Sequence, residues 1–214
     1  MKQRNAIIAT LSCLMLLGLP PRAQAFIVAI NANTGLAASV YLRVGDGVYT
    51  GNFINNGTPG SGGGVNTVSV TVPAASLGNG TAQAMTSNAV QSVSHYDSFV
   101  FCNLPAEVYV GGFNRRGLAG AGGAGVLTVT APVNLTNATG DTIPFTRISW
   151  ASSGNGDTVA QPFPAGTFTG GTQTLAAFPA NSWRESCHAF SYANSNVVAA
   201  GAYTGRVTYT LTVP

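Results

Sequence analysis

The residues of this chain that could do chemistry are few and lie far apart. Its 214 residues include three cysteines, two histidines and six acidic residues. The acids occur singly, so no close-spaced pair offers the general acid and base of a hydrolase. Cys187 and His188 are adjacent, but neighbouring residues of a strand point to opposite faces and cannot form a nucleophile–base pair there. Two histidines are also too few ligands for a typical zinc site unless carboxylates contribute. We therefore predict no enzyme, no metal site and no cofactor.

One glycine motif resembles a cofactor-binding loop. Gly120 to Gly125 (GAGGAG) match the glycine spacing of the dinucleotide fingerprint. That fingerprint needs a helix to follow it, because the helix N-terminus receives the pyrophosphate. The segment that follows, Val126–Thr130 (VLTVT), has the composition of a strand instead. The motif therefore predicts a glycine-rich hairpin loop.

The first residues predict export rather than structure. Lys2 and Arg4, an apolar run from Ala6 to Leu19, and small residues up to Ala25 are the three regions of a secretory signal peptide. The apolar run is too short for a permanent membrane-spanning helix. We place the cleavage site after Ala25, so residues 1–25 are the signal peptide and the mature chain has no transmembrane segment.

Two cysteines, Cys102 and Cys187, remain after cleavage. Export to an oxidising compartment makes a disulfide between them the default expectation. It would close a loop of about 85 residues and contribute roughly 4 kcal/mol in the chain-entropy model.

Cleavage also changes the charge of the chain. The mature protein keeps six arginines and six acids and has no lysine. Near-zero net charge argues against nucleic-acid binding. Lysine on edge strands and a net charge both oppose association between sheets, so their absence favours a chain that assembles. A compositional bias of the source organism explains the absence equally well.

The mature chain has the pattern of many short strands separated by turn residues. The predicted strands are Phe26–Ala32, Ala38–Val44, Thr67–Val72, Phe99–Phe101, Glu107–Phe113, Val126–Thr130, Ile143–Trp150, Gly166–Thr169, Thr172–Phe178, His188–Tyr192 and Tyr203–Val213. Ala82–Val93 is the one candidate helix, and Gly57–Gly64 and Gly117–Gly125 are predicted loops. This spacing predicts a single β-sandwich or barrel. Phe145 and Trp150 could form a sugar-binding platform, but core packing is the favoured interpretation.

Both ends of the mature chain look suited to strand pairing. From Tyr203 to Pro214 (YTGRVTYTLTVP), apolar and polar residues alternate strictly, as in a strand with one buried face. The mature N-terminus alternates as well. Its apolar positions are Phe26, Val28, Ile30 and Ala32. An exposed sheet edge is the element to which a strand of another chain can be added.

These features together resemble a family. An exported all-β chain with an apolar alternating N-terminus, one disulfide and the terminal segment AYTGRVTYTLTVP (Ala202–Pro214) is similar to a chaperone–usher pilin, and most to the archaic, spore-coat-U-like branch. The resemblance implies an immunoglobulin-like β-sandwich that lacks its last strand. A periplasmic chaperone would lend a strand to the resulting groove. At an outer-membrane usher, the N-terminal extension of the next subunit would replace it, which builds a non-covalent fibre.

The resemblance assigns roles to the two ends of this chain. It implies a donor segment, residues 26–36, and one pilin-like domain, residues 37–214. The donor side chains would be Phe26, Val28, Ile30 and Ala32, and the acceptor groove along the C-terminal edge would be lined by Val207, Tyr209, Leu211 and Val213. The N-terminal segment has a second interpretation, as the first strand of its own sheet.

We therefore expect a structural subunit of a surface fimbria, exported through the periplasm, that serves adhesion or biofilm formation. Its expected partners are a periplasmic chaperone, an outer-membrane usher and other copies of itself or related subunits. The alternative is a complete secreted β-sandwich that recognises a glycan or a protein through its loops and the Phe145–Trp150 region.

Overall fold

The regular secondary structure of this protein consists of antiparallel β-strands and two short 3-10 turns, as far as the structure describes the chain. The computed structural model describes residues 28–29, 37–61, 63–118, 120, 122–157 and 162–213. Within these residues there is no α-helix, and therefore no helix with the length and apolar character needed to cross a bilayer. The sheets pack against each other, so the prediction of an all-β sandwich is confirmed.

The described residues form sixteen strands and two 3-10 turns, Ala74–Ser76 and Phe145–Arg147. In chain order the strands are β1 (Val28–Ala29), β2 (Ser39–Val44), β3 (Tyr49–Thr50), β4 (Thr58–Pro59), β5 (Val68–Ser69), β6 (Gln83–Ala84), β7 (Thr86–Ser87), β8 (Glu107–Arg115), β9 (Gly125–Thr130), β10 (Asn134–Thr136), β11 (Thr142–Pro144), β12 (Ile148–Ser153), β13 (Gly166–Thr167), β14 (Thr172–Phe178), β15 (Ser182–Tyr192) and β16 (Thr208–Thr212).

Two sheets enclose the main core. The larger one has the order β13-β12-β15-β8-β2, and the short strands β1 and β6 also pair with β15. The smaller one has the order β14-β9-β16. Val110 of β8, Leu127 of β9 and Phe178 of β14 lie fully buried in the core that the two sheets share. The sequence of β9 explains this burial. Its apolar residues Leu127 and Val129 alternate with more exposed neighbours, so one face of the strand lies on the core.

A third layer covers the other face of the larger sheet. Residues 45–106 without β6 and Met85 are here called the outer layer, and they contain the small pairs β3-β4 and β5-β7. Phe113 and Trp183 of the larger sheet are buried against this layer, and the partly buried aromatic residues packed on them are Tyr41, Tyr49, Phe53 and Tyr96. Strand β8 is therefore buried from Glu107 to Asn114, because both of its faces are covered.

The disulfide between Cys102 and Cys187 is confirmed. It joins the end of the outer layer to β15, with 5.4 Å between the two Cα atoms. Cys187 packs with Phe101 and Tyr109, whereas the adjacent His188 lies in the main core beside Trp150. The two neighbours thus face opposite sides of the sheet, as their position in a strand predicts.

The candidate helix Ala82–Val93 is wrong. The segment instead contains β6 and β7. Its polar side chains bond to nearby and distant backbone groups: Ser87 Oγ accepts from the Ala89 amide, and Asn88 Oδ1 accepts from the Thr67 amide. Such bonds compete with helix formation.

The predicted strand Ile143–Trp150 is interrupted. It ends in β11 at Pro144, passes through the 3-10 turn and resumes as β12. At the break, the Phe145 amide donates to the Val133 carbonyl across the loop at 2.9 Å. A proline has no amide hydrogen to continue a ladder, which suits the end of a strand.

The predicted strand Tyr203–Val213 is shorter than expected. Regular pairing is confined to β16, while Thr204 forms an isolated bridge with Thr136 of β10. The C-terminal segment therefore contacts two different strands along its length.

Candidate functional site

Strand β16 lies at an edge of the smaller sheet. It pairs with β9 from Thr208–Thr130 to Thr212–Val126, and within the described residues no strand pairs with its other side. The predicted alternation is present. The threonines Thr208, Thr210 and Thr212 are exposed, whereas Val207, Tyr209, Leu211 and Val213 are half-buried.

The edge strand of the larger sheet, β2, lies on the same side of the sandwich. Leu42 and Val44 of β2 pack against the same core as Val207, Tyr209 and Leu211, and β2 and β16 are in contact. The two sheets therefore both end here. We call the sandwich edge along which these five side chains lie the open-edge groove.

A glycine marks one end of this groove. Gly122 has a positive φ of 90°, which residues with a side chain rarely adopt. A Cβ there would lie 2.7 Å from the Cβ of Ala38 and 4.0 Å from Cγ1 of Val213. The loop between β8 and β9 thus lies against the start of β2 and the end of β16, and only a glycine fits.

Tyr209 extends from the open-edge groove into the main core. Its ring centroid lies 6.3 Å from that of His188 on the opposite sheet. Burial raises the pKa of Tyr209 above its ordinary value and lowers the pKa of His188 to about 3. Both groups are therefore neutral at physiological pH, so the groove is lined by uncharged side chains.

The predicted donor segment is only partly described. Val28 pairs with Trp183 and Ala29 with Ser182, so these two residues lie beside β15 in the same chain. Since β8 pairs with the same two residues of β15, β1 lies on the opposite side of that strand. Phe26, Ile30 and Ala32 lie outside the described residues.

The Phe145–Trp150 region does not present a surface platform. Phe145 is 3% and Trp150 4% exposed, and both belong to the main core. The Trp150 indole donates to the Pro164 carbonyl at 3.0 Å, which satisfies its polar group inside the fold. Core packing, the favoured interpretation, is confirmed.

A buried carboxylate that sequence inspection missed lies between the larger sheet and the outer layer. Glu185 of β15 is fully buried, and its two oxygens accept from Ser94 Oγ and Tyr109 Oη, each at 2.6 Å. Burial raises the pKa of Glu185 to about 7. No sequence signal could have found this group, since Ser94 and Glu185 are 91 residues apart.

A neutral histidine, His95, and an arginine, Arg43, lie near this carboxylate cluster. His95 stacks on Tyr49 at 4.8 Å and meets Tyr109 edge-on at 5.0 Å. Burial, with help from the nearby charge of Arg43, lowers the pKa of His95 to about 4. His95 Nε2 and Arg43 Nη2 are buried without hydrogen-bond partners among the described residues. The enclosure of Glu185 and Tyr109 favours a structural role, in which the cluster fixes the outer layer to the sheet.

The disulfide also lies close to a third potential metal ligand. The Cys102 and Cys187 sulfurs and the Glu107 carboxylate lie within 4.8 Å of one another. The sulfurs are bonded to each other and are not thiolates, the form that binds metals. Glu107 instead accepts from the Asn103 amide and from Asn155 Nδ2.

Comparison of the chain with protein-family models, with curated proteins and with solved structures found no match.

Proposed function

We propose that this protein is a structural subunit of a surface fimbria that assembles by donor-strand exchange and serves adhesion or biofilm formation. The observation that carries this proposal is the open-edge groove. Strand β16 has a side with which no strand of the described residues pairs, and half-buried apolar side chains lie beneath it. An added strand would satisfy both, which is the physical basis of β-strand addition.

The proposal includes the route of assembly. The domain is an immunoglobulin-like sandwich that lacks one strand beside β16. A periplasmic chaperone occupies the groove first, and at an outer-membrane usher the N-terminal segment of the next copy replaces it. The terminal sequence Ala202–Pro214 supports this assignment by its resemblance to archaic pilins.

The energetic argument rests on apolar burial. The donor segment offers about four apolar side chains per junction, worth roughly 1.5–3 kcal/mol each, or a gross 6–12 kcal/mol. Main-chain hydrogen bonds along β16 add to this value.

The test separates donation from acceptance. Deletion of Phe26–Asn33 should leave a subunit that binds chaperone but forms no polymer. Within the segment, Ile30→Asp should block polymerisation, whereas the adjacent Asn31→Asp should not, since neighbouring residues point to opposite faces. Multimer ladders in unheated electrophoresis measure the outcome. A deleted protein that still polymerises would show that the donor assignment is wrong.

A complete secreted β-sandwich that binds a glycan or a protein is the second candidate. The pairing of Val28 and Ala29 with β15 in the same chain favours it, because a segment used inside its own sheet is not free for donation. This candidate predicts a stable monomer without chaperone and no multimer ladder.

A further inference from the structure

A cavity at the end of β8 is separate from the open-edge groove. It has a volume of about 310 Å³ and lies between the β3-β4 hairpin and the outer-layer face of the larger sheet. Its lining residues are Phe53, Asn56, Gly57, Thr58, Pro59, Phe113 and Arg115. A volume at the small end of ligand pockets suits a group the size of one sugar unit.

An arginine is held on the aromatic wall of this cavity. The guanidinium carbon of Arg115 lies 4.3 Å from the ring centroid of Phe53 and 5.3 Å from that of Phe113. Its Nε is buried without a hydrogen-bond partner, and no carboxylate of the described residues pairs with it. Arginine stays a cation at physiological pH, so this cavity is lined by a positive charge that no carboxylate of the described residues compensates.

The side of the cavity formed by residues 53–59 is fixed before any ligand binds. The Phe53 and Ile54 amides donate to the His95 and Tyr96 carbonyls at 2.9 and 3.0 Å. Tyr49 Oη donates to the Gly57 carbonyl at 3.2 Å. These bonds hold the β3-β4 hairpin against the rest of the outer layer, and a preorganised wall loses little conformational entropy on binding.

We infer that this cavity binds an acidic sugar unit. The carboxylate would accept from the fork of Arg115, which matches carboxylate geometry. The sugar ring would lie in the cavity beside the guanidinium, and the side chains of Asn56 and Thr58 in the lining can bond to hydroxyl groups. A nucleic acid would need several cations along a groove, and this cavity offers one. The inference does not depend on strand exchange, because a monomer and a fibre subunit have the same cavity.

The test compares matched ligands on the unmodified mature protein. Methyl glucuronide and methyl galacturonide should bind, as followed by NMR chemical-shift titration at millimolar concentration. Methyl glucoside and the amide of the glucuronide, which lack the charge, should bind roughly 10- to 150-fold more weakly, the usual range for losing a charged hydrogen bond.

Matched variants assign the effect to one side chain. Arg115→Gln should weaken the binding of the glucuronide by the same factor as removal of the charge from the ligand. Arg116→Gln, which makes the same charge change at the next residue, should leave binding unchanged. Each of three results would overturn the inference. The glucuronide and its amide bind equally, the Arg115→Gln protein binds the glucuronide as tightly as the unmodified protein, or neither acidic sugar binds. If Arg115→Gln does not fold, the comparison of acid and amide on the unmodified protein still decides.

Discussion

Glu185 should make the stability of this protein depend on pH in an unusual direction. Burial raises the pKa of this carboxyl from its ordinary value of 4.5 to about 7 in the folded state. The fold therefore favours the protonated form. The stabilisation that the Glu185 carboxyl contributes is fully present below about pH 4.5. It is lost as the pH rises through about 7, where the folded protein must keep a buried anion. Most carboxylates in folded proteins behave in the opposite sense.

The size of the effect follows from the shift. A change from 4.5 to about 7 corresponds to on the order of 3 kcal/mol, at 1.36 kcal/mol per pKa unit. His95 and His188 act in the opposite direction, because burial lowers their pKa values to about 4 and about 3. Their contributions are present above about pH 6.5 and are lost as the pH falls. The pH profile of the unmodified protein alone therefore does not isolate Glu185.

Two measurements do isolate it. The chain contains only two glutamates, Glu107 and Glu185, so ¹³C-carboxyl labelling gives two signals, and Glu185→Gln assigns them. Urea unfolding of both proteins at pH 4 and pH 8 then gives, at each pH, the free energy of unfolding of the unmodified protein minus that of Glu185→Gln. The histidine contributions cancel in this difference. The stability of the unmodified protein relative to Glu185→Gln should fall by about 3 kcal/mol between these pH values. A Glu185 signal that titrates near 4.5, or a difference that is constant with pH, would refute the reasoning.

Three further predictions concern the fold that positions the groove. Replacing both Cys102 and Cys187 by serine should lower the free energy of unfolding by about 4 kcal/mol in urea titrations, as the chain-entropy model gives for a loop of this length; an unchanged midpoint would contradict it. Trp150→Ala should cost about 3–5 kcal/mol, since it empties a core site, whereas a surface platform would tolerate the change; thermal unfolding distinguishes the two. Gly122→Ala should destabilise the chain by about 1–3 kcal/mol, because φ is +90° and the new Cβ would meet Ala38. Gly140→Ala is the control, since Gly140 has the same φ but no atom within 4 Å of its Cβ position, so it shares only the backbone cost. Equal losses of stability in the two variants would argue against the contact with Ala38.

The strands that face solvent on one side were predictable from the sequence. Thr172–Phe178 matches β14 at both ends, and Val126–Thr130 lies within β9 with one residue missing at its start. Their alternation survives because one face of the smaller sheet is exposed.

Strand β15 shows where alternation fails. The prediction began at His188, but the strand begins at Ser182 and includes Arg184, Glu185 and Ser186. Because both faces of this strand are covered, Ser182, Glu185 and Ser186 are buried, and a pattern that expects polar residues outside does not recognise them.

The outer layer was the least predictable part. The predicted strand Phe99–Phe101 is reduced to one bridge between Val93 and Val100, since the Phe101 and Cys102 amides both donate to the Ser92 carbonyl. The layer depends on side-chain bonds between distant residues, such as Ser94 with Glu185 and Asn52 with Ser98. No local propensity or periodicity encodes such bonds. The cavity beside Arg115 depends on the same layer and was missed for the same reason.

The central claim is that one chain donates its N-terminal segment to the groove of another, and a complementation experiment tests it most directly. On the proposed assignment, the protein lacking Phe26–Asn33 should accept a strand but not donate one. A Leu211→Asp protein can donate but not accept, because the charge would lie in the open-edge groove; Thr210→Asp, on the exposed face of β16, is its control. Because the aspartate would also exclude a chaperone strand from the groove, the two proteins are refolded together without chaperone and usher. Each blocked protein alone should give no multimer, and the two together should give a one-to-one heterodimer. Multimers from either protein alone, or no heterodimer from the mixture, would contradict the account.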